Sequence, residues 1–314
     1  MATFAIFNYQ FAKIIKRNEE GRLFPDEEGE GKDNFSCRQE ILGQLLDEDY
    51  RKENPIVFKS QYGGDKEYIH QHLIRPTDGI YVMRVANRHV TMVVTQDWKE
   101  IPTDDYQNCL VIIDDRPGIQ RMLIEQKKTA FQNVKQLAGI IEWTLKRILR
   151  RHDLDIELMH LQDPRVFWDI VKDRKSYPDG FYKITFHLPH LNLERLKKVF
   201  DKVLVMSRKV FDSDLEWSYK AQKGGELPLD ENNEQQSALI EWMMSEVGSE
   251  NIKLYPNTAK RKAIIVGENS FLAVGISDTV IRRLTEEAVS GDLFGSKALD
   301  VVKVRTKTGI DLQE

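Results

Sequence analysis

Two aspartates, a glutamate and a lysine around one predicted β-hairpin could support metal-dependent phosphodiester chemistry. Asp114 and Asp115 precede Arg116-Pro117-Gly118, and Glu125-Gln126-Lys127 ends the returning strand. In such chemistry the carboxylates share a divalent cation and the lysine polarises the attacking water. Five or six extended residues, however, separate the aspartates from Glu125 by roughly 15–20 Å, too far to share an ion. We therefore expect the aspartates to form the turn and expect no metal site here.

A second candidate constellation is the pair Arg147 and His152, spaced as Arg-x4-His. This spacing is similar to that of the HEPN family of metal-independent ribonucleases. In that chemistry the histidine acts as acid and base, and the arginine stabilises the charge of the phosphorane. The motif is short and lies in a basic run, and this chain is rich in predicted strands whereas that family is a helical bundle. A ribonuclease using Arg147 and His152 remains an alternative.

The remaining glycine-rich and histidine-containing segments do not form a recognisable site. Glu28-Gly29-Glu30-Gly31-Lys32 lacks both the spacing of a phosphate-binding loop and a preceding strand. His70 and His72 form one histidine pair and His187 and His190 another, and neither has an acid at a spacing that would complete a metal site. We expect no cofactor and no metal.

Cysteine usage and hydropathy indicate the compartment. The chain has two cysteines, Cys37 and Cys109, without CxxC spacing, so neither a disulfide framework nor a cysteine zinc site is predicted. The N-terminus has no secretory signal, and the longest apolar stretches are far shorter than the ~20 residues of a membrane span. We expect a cytoplasmic protein without membrane insertion.

The elements that position these residues predict an α+β fold. Strands at 80–85 and 89–95 are predicted to flank a hairpin turn at Ala86-Asn87-Arg88, and a second turn at 114–118 joins two further strands. Apolar residues that recur at steps of three and four predict a helix over about 131–151. Four tryptophans fall at apolar positions and are predicted to be core: Trp143, Trp168, Trp217 and Trp242.

Strands and helices alternate in the rest of the chain. Strands are predicted at 155–161, 181–188, 216–221, 262–266 and 271–276, and helices at 163–173, 192–211, 237–247 and 278–288. We expect antiparallel or mixed sheets packed with amphipathic helices in two domains. The first is a strand meander plus the long helix over 1–160, and the second is an α/β domain over 161–314.

Charge is distributed unevenly along the chain. The formal net charge of −4 argues against a uniformly basic protein. Residues 1–126 carry −6, residues 127–223 carry +7 and residues 224–314 carry −5. A basic middle segment of this kind predicts an anionic partner.

The basic residues of the middle segment fall in rows on two predicted helices. At 100° per residue each row occupies one narrow sector of its helix, where cations can follow successive phosphates. The first row is Lys128, Lys135, Lys146 and Arg150, interrupted by Glu142, and the second is Arg195, Lys198, Lys202 and Lys209. Solvated helix faces would give the same pattern, so both interpretations remain open.

The order of elements resembles that of phage-defence proteins. It is similar to the DNA-binding A component of the lambda Rex exclusion system and, more loosely, to the B component of the Kiwa system. The likeness lies in the hairpin at Gly79-Ile80-Tyr81-Val82-Met83-Arg84-Val85, the strand pair around 110–124, the helix after it, and the strand Tyr182-Lys183-Ile184-Thr185-Phe186-His187 before a basic helix. It spans about residues 66–220 and implies sequence-independent binding of duplex DNA, as a homodimer, in an anti-phage system.

We therefore expect a nucleic-acid-binding component of a prokaryotic defence system, with duplex DNA favoured by the resemblance alone. We expect a binding protein without catalytic residues rather than an enzyme. The alternatives are the ribonuclease described above and a non-catalytic subunit whose basic face meets an acidic partner protein, either a second defence-system protein or a second copy of the chain.

Overall fold

The computed structural model describes residues 1–13, 41–46, 56–61, 66–77, 79–116, 119–152, 154–188, 215–248, 251–258, 262–267 and 271–282. Two antiparallel sheets and several helices confirm the α+β class. The strands are β1 (Ala2–Lys13), β2 (Phe58–Lys59), β3 (Glu67–Thr77), β4 (Ile80–Val94), β5 (Glu100–Asp114), β6 (Arg121–Glu125), β7 (Leu154–His160), β8 (Phe181–Leu188), β9 (Leu215–Lys220), β10 (Ile252–Pro256), β11 (Ile264–Ile265) and β12 (Ala273–Ile276).

The described residues include fewer helices than strands. They are α1 (Ile41–Leu46), α2 (Val134–Leu149), α3 (Arg165–Lys172), α4 (Glu234–Trp242) and α5 (Asp278–Arg282). A 3-10 turn at Arg150–His152 follows α2, and a π-helical turn at Met243–Val247 continues α4. Within the described ranges, no helix combines the length and the apolar character needed to cross a bilayer.

The chain separates into two compact units, which are described one at a time. The first contains the described parts of Met1–Tyr9, Asp33–Leu158 and Ala273–Glu314, and the second those of Gln10–Lys32 and Met159–Leu272. β12 and α5 thus group with the first unit. The domain boundaries predicted from the sequence stay a prediction.

The first unit is built on an antiparallel sheet in the order β12-β1-β6-β5-β4-β3-β2, with β7 paired to β1. Helix α2 buries one apolar face, which includes Leu137, Ile141 and Leu145, as its periodicity predicts. It begins at the N-cap Asn133, whose side chain accepts a hydrogen bond from the Gln136 N–H at 2.9 Å. The helix that carries the predicted cations is therefore fixed at its start and along one side.

The predicted hairpin turn at Ala86-Asn87-Arg88 is wrong. Strand β4 continues through these residues and pairs with β5 along its whole length. Asn87 tolerates the strand because its side chain is buried and its Nδ2 donates to the Ala130 carbonyl at 2.8 Å. A tertiary partner thus binds the amide nitrogen that would otherwise favour a local turn, while Oδ1 of Asn87 is buried without a hydrogen-bond partner among the described residues.

The chain reverses instead at the tip of β4 and β5. The Thr95 N–H donates to the Lys99 carbonyl at 2.9 Å, and Trp98 occupies the left-handed region with φ 59°. We call the outer half of this strand pair, residues 88–106, the ribbon. Trp98 at its tip is 89% exposed.

The second unit has its own sheet, in the order β11-β10-β8-β9. One face of this sheet packs on α3 and α4 around Phe167, Phe186, Ile240 and Met243. Strand β8 has the predicted bounds. Strand β10 was not predicted, because its five residues end in Pro256 and lie beside glycine- and asparagine-containing turns.

The basic helix predicted at 192–211 falls outside the described residues and stays a prediction.

Candidate nucleic-acid interface

Helix α2 and its flanks place several predicted cations at the surface of the first unit. Lys128 is exposed in the turn before the helix, and Lys135 is exposed in its first turn. Arg147 is exposed in the last turn, and Arg150, the C-cap residue, is exposed as well. Cations at a helix C-terminus interact favourably with the macrodipole, so this position alone does not require an anionic ligand.

Lys146 differs from the other cations of this row. Its Nζ lies 2.8 Å from Oε1 of Glu142, one helical turn earlier, and the side chain is only 26% exposed. The pairing with Glu142, assisted by Asp155 and Glu157, raises the pKa of Lys146 against the opposing effect of burial. Its charge is therefore compensated within the protein, and we leave Lys146 out of the candidate interface.

The second predicted row cannot be placed. Arg195, Lys198, Lys202 and Lys209 lie outside the described residues, so their part in the interface stays a prediction.

The second unit carries a lysine cluster that the sequence analysis missed. Lys183 on β8 is directly opposite Lys220 on β9, and on its other side Lys183 is opposite Tyr255 on β10. In the neighbouring row Thr185 lies between Ser218 and Lys253. Lys220 is exposed, whereas Lys183, Lys253 and Tyr255 are half-buried; we call this group of four residues the lysine face.

The lysine face and the core are opposite sides of one sheet. Ile184 is opposite Tyr219 and Leu254, and alternates along β8 with Lys183 and Thr185. On the core side, Phe167, Trp168, Ile184, Phe186 and Tyr219 help to line an apolar cavity of ≈ 360 Å³. The period-2 alternation of polar and apolar residues in β8 and β9 is the signal that could have revealed this face from the sequence.

No acidic residue in the described part of the chain neutralises the lysine face. Within the described residues, no carboxylate forms an ion pair with Lys183, Lys220 or Lys253. Like charges directly opposite each other on adjacent strands are destabilising. The side-by-side position of Lys183 and Lys220 therefore favours an anion as the missing counter-charge.

Tyr255 is not free to stack on a base. The Lys183 Nζ lies 4.8 Å from the centroid of its ring, in cation–π geometry, and the Tyr182 ring is 6.2 Å away edge-on. Because a cation covers the ring face, this surface presents charge rather than a stacking platform.

The residues of the two catalytic alternatives keep the local positions that their spacing predicts. Arg147 is in the last turn of α2 and His152 ends the 3-10 turn that follows, so the pair keeps the helix-end position predicted from its spacing. At the β5–β6 turn, both carboxylate oxygens of Asp114 accept from the Arg116 guanidinium, at 2.8 and 2.7 Å. Glu125 is at the other end of β6 and accepts from the Leu110 N–H at 2.9 Å.

Among the described residues, no three His, Cys, Asp or Glu side chains form a group that could hold a metal ion. His70 packs edge-on against Phe58, and His187 Nδ1 lies 3.1 Å from Oδ1 of Asn251. Of the four tryptophans predicted to be core, Trp168 is buried, and Trp217 and Trp242 pack against the core of the second unit.

Comparisons with protein-family models, with curated proteins and with solved structures found no match. The interface described above therefore rests on the geometry and charge of this chain.

Proposed function

We propose that this protein binds the phosphate backbone of nucleic acid without sequence specificity. The observation that carries the proposal is the pair Lys183 and Lys220, directly opposite each other without a carboxylate partner in the described part of the chain. Phosphate would supply the missing negative charge, and counterion release would favour binding.

The lack of sequence specificity follows from the kind of groups involved. Lysine ammonium groups are point charges that contact phosphate rather than read base edges. The one aromatic ring of the lysine face, Tyr255, is covered by Lys183 and is not offered to a base. The exposed Lys128 and Arg150 of the first unit would add phosphate contacts of the same kind.

The resemblance described above supports duplex DNA as the nucleic acid and anti-phage defence as the setting. It adds a homodimer as the expected assembly. These three statements are proposals that extend the phosphate-binding proposal.

The test is a gel-shift series across salt concentrations with duplex DNA, single-stranded DNA and RNA. We expect the parent chain to shift duplex DNA at about 50 mM salt, with log affinity falling linearly with log salt. The variant Lys183→Glu/Lys220→Glu should lose the shift. Any binding that this variant retains should show a slope of log affinity against log salt that is smaller than the parent's by about two, one for each lost phosphate contact.

A matched variant separates the effect of losing the lysine face from the effect of changing the net charge. Lys175→Glu/Lys262→Glu makes the same change in charge on exposed residues of the turn after α3 and of the segment before β11, in the same unit. It should retain most of the shift. Equal loss in both double variants, or no shift by the parent chain at low salt, would refute binding through the lysine face.

A further inference from the structure

The ribbon is an exposed part of the first unit with apolar side chains, and its outer edges pair with no other described strand. All residues of 88–94 are exposed, with Val90 at 63% and Met92 at 52%. Among the described strands, none pairs with β4 beyond Ala86 or with β5 ahead of Val111, apart from β4 and β5 themselves. A two-stranded hairpin without further partners is marginally stable in water, and exposed apolar patches mark interaction surfaces.

The hydrogen bonding at the tip determines which main-chain groups point outward. The Thr95 N–H donates to the Lys99 carbonyl, so this pair is hydrogen-bonded across the ribbon. Hydrogen-bonded and non-hydrogen-bonded pairs alternate in an antiparallel ladder. The residues of β4 that direct their N–H and C=O groups away from β5 are therefore Arg88, Val90, Met92 and Val94.

The outer edge of β5 is protected against pairing. Pro102 is at an outward position and has no N–H to donate. The segment 100–106 contains Glu100, Asp104 and Asp105 and no basic residue; Asp104 pairs with Arg88, and the charges of Glu100 and Asp105 would repel a second copy of the segment. Proline and clustered charge are the usual protections of an edge strand.

The outer edge of β4 has less protection. Its charged residue is Arg88 at one end, which pairs with Asp104 across the ribbon, and the segment His89–Val94 contains no proline and no formally charged residue. Valine, threonine and methionine there suit a pleated, half-buried surface. One edge of the ribbon is therefore open to another strand and the other is not.

We propose that β4 of one chain pairs antiparallel with β4 of a second copy, about a two-fold axis at Thr91. Val90 then lies opposite the partner's Met92, and Arg88 opposite the partner's Val94. Every outward N–H and C=O of the segment gains a partner. The two copies of Thr91 meet at the axis in the closely spaced, non-hydrogen-bonded geometry.

A second copy fits this edge better than another occupant. In this register apolar side chains face apolar side chains, and the Arg88 side chains are at opposite ends of the new ladder, where they do not repel. The contact is isologous and closed, whereas pairing of β4 with the acidic, proline-interrupted edge of β5 would give an open chain of molecules. The acids Asp97 and Glu100 beside the tip oppose insertion into an anionic lipid surface. This inference does not rest on nucleic-acid binding.

Cross-linking tests the register directly. In Thr91→Cys, two thiols meet at the two-fold axis, so mild oxidation should give a covalent dimer on a non-reducing gel. Thr103→Cys is the matched control, because Thr103 is directly opposite Thr91 on the protected strand and should stay monomeric on the gel. The parent chain, with Cys37 and Cys109, gives the background.

Charge complementation tests the interface without a covalent bond. Val90→Lys/Met92→Lys and Val90→Glu/Met92→Glu should each be monomeric by light scattering at concentrations where the parent chain is a dimer. An equimolar mixture should form a heterodimer, since each lysine then faces a glutamate; unfolding of either variant could not produce this recovery. Ile101→Lys/Thr103→Lys, with the same charges on β5, should remain dimeric.

Three results would overturn the proposal. They are a monomeric parent chain at tens of micromolar, a mixture that stays monomeric, and cross-linking at Thr103 equal to that at Thr91. Flotation of a monomeric parent chain with phosphatidylcholine–phosphatidylglycerol vesicles, lost in the lysine variant, would instead assign the ribbon to a membrane surface.

Discussion

The hydroxyl of Tyr9 donates a 2.5 Å hydrogen bond to Oδ1 of Asp115 in the interior of the first unit. Strand β1 brings Tyr9 to this position, and the end of β5 brings Asp115. Oδ2 of Asp115 has no hydrogen-bond partner among the described residues. Burial raises the pKa of Asp115 to about 7, with a smaller contribution from Asp114, against the lowering effect of the Tyr9 hydrogen bond. The folded protein therefore favours the protonated carboxyl.

Asp115 should make stability fall as pH rises from about 4 to about 7. Across this interval the unfolded chain has already lost the proton that the folded chain retains, so the folded state binds more protons and loses stability with increasing pH. Asp115→Asn keeps the acceptor for Tyr9 without the charge. It should be close to neutral below about pH 4 and stabilising at pH 8, by up to about 4 kcal/mol for the full shift.

Urea unfolding of the parent chain and of Asp115→Asn at several pH values measures this difference. Asp97→Asn, at an exposed position of the ribbon tip, is the control and should not alter the pH profile. If Asp115→Asn preserves the parent's slope between pH 4 and pH 7, the buried carboxyl is not the group responsible.

The two cations Lys146 and Arg150 should respond differently to neutralisation, although they are one turn apart on the same side of α2. Arg150 is exposed, whereas Lys146 is held by Glu142. Arg150→Gln should reduce the slope of log affinity against log salt by about one, the value for one lost phosphate contact. Lys146→Gln should leave the slope unchanged.

Gel-shift titrations of both single variants across the same salt series measure this effect. The two variants have the same charge change on the same helix, so each is a control for the other. If Lys146→Gln lowered the slope more than Arg150→Gln does, Lys146 would contact phosphate despite its ion pair with Glu142, and its exclusion from the interface would be wrong.

Sequence periodicity was sufficient to predict a helix or strand wherever the local pattern and the tertiary packing agreed. The apolar face of α2 and the bounds of β8 were predicted because each buries one repeating side against a core. The hairpin at 86–88 failed because the partner of Asn87 is Ala130, 43 residues away, which no local rule contains. The lysine face was missed because Lys183 and Lys220 become neighbours only through strand pairing.

The Asn87–Ala130 contact should contribute measurably to stability. Asn87→Ala leaves the Ala130 carbonyl without this donor and should cost about 1–2 kcal/mol of the free energy of unfolding. Asn87→Asp should cost more at neutral pH, because a carboxylate would be buried beside a carbonyl oxygen. Urea unfolding gives both values.

Asn108→Ala is the control for this contact. Asn108 is the cross-strand neighbour of Ala86, and its side chain donates to the Tyr106 carbonyl of its own strand at 3.3 Å in an exposed setting. Its loss should cost a few tenths of a kcal/mol at most. Equal losses at Asn87 and Asn108 would contradict the role given to the buried amide.

A charge reversal at Lys220 should move stability and binding in opposite directions. In the parent chain Lys220 and Lys183 are like charges directly opposite each other, and Lys220→Glu turns them into an opposite-charge pair worth about 0.2–1 kcal/mol. The variant should therefore unfold at a higher urea concentration while its affinity for duplex DNA falls. A residue that served only the fold would lose both properties together or neither. Lys220→Gln, which removes the repulsion without adding attraction, should lie between the parent chain and Lys220→Glu in both measurements. A stabilised Lys220→Glu that binds DNA as the parent does would show that the repulsion between these lysines has no connection with binding.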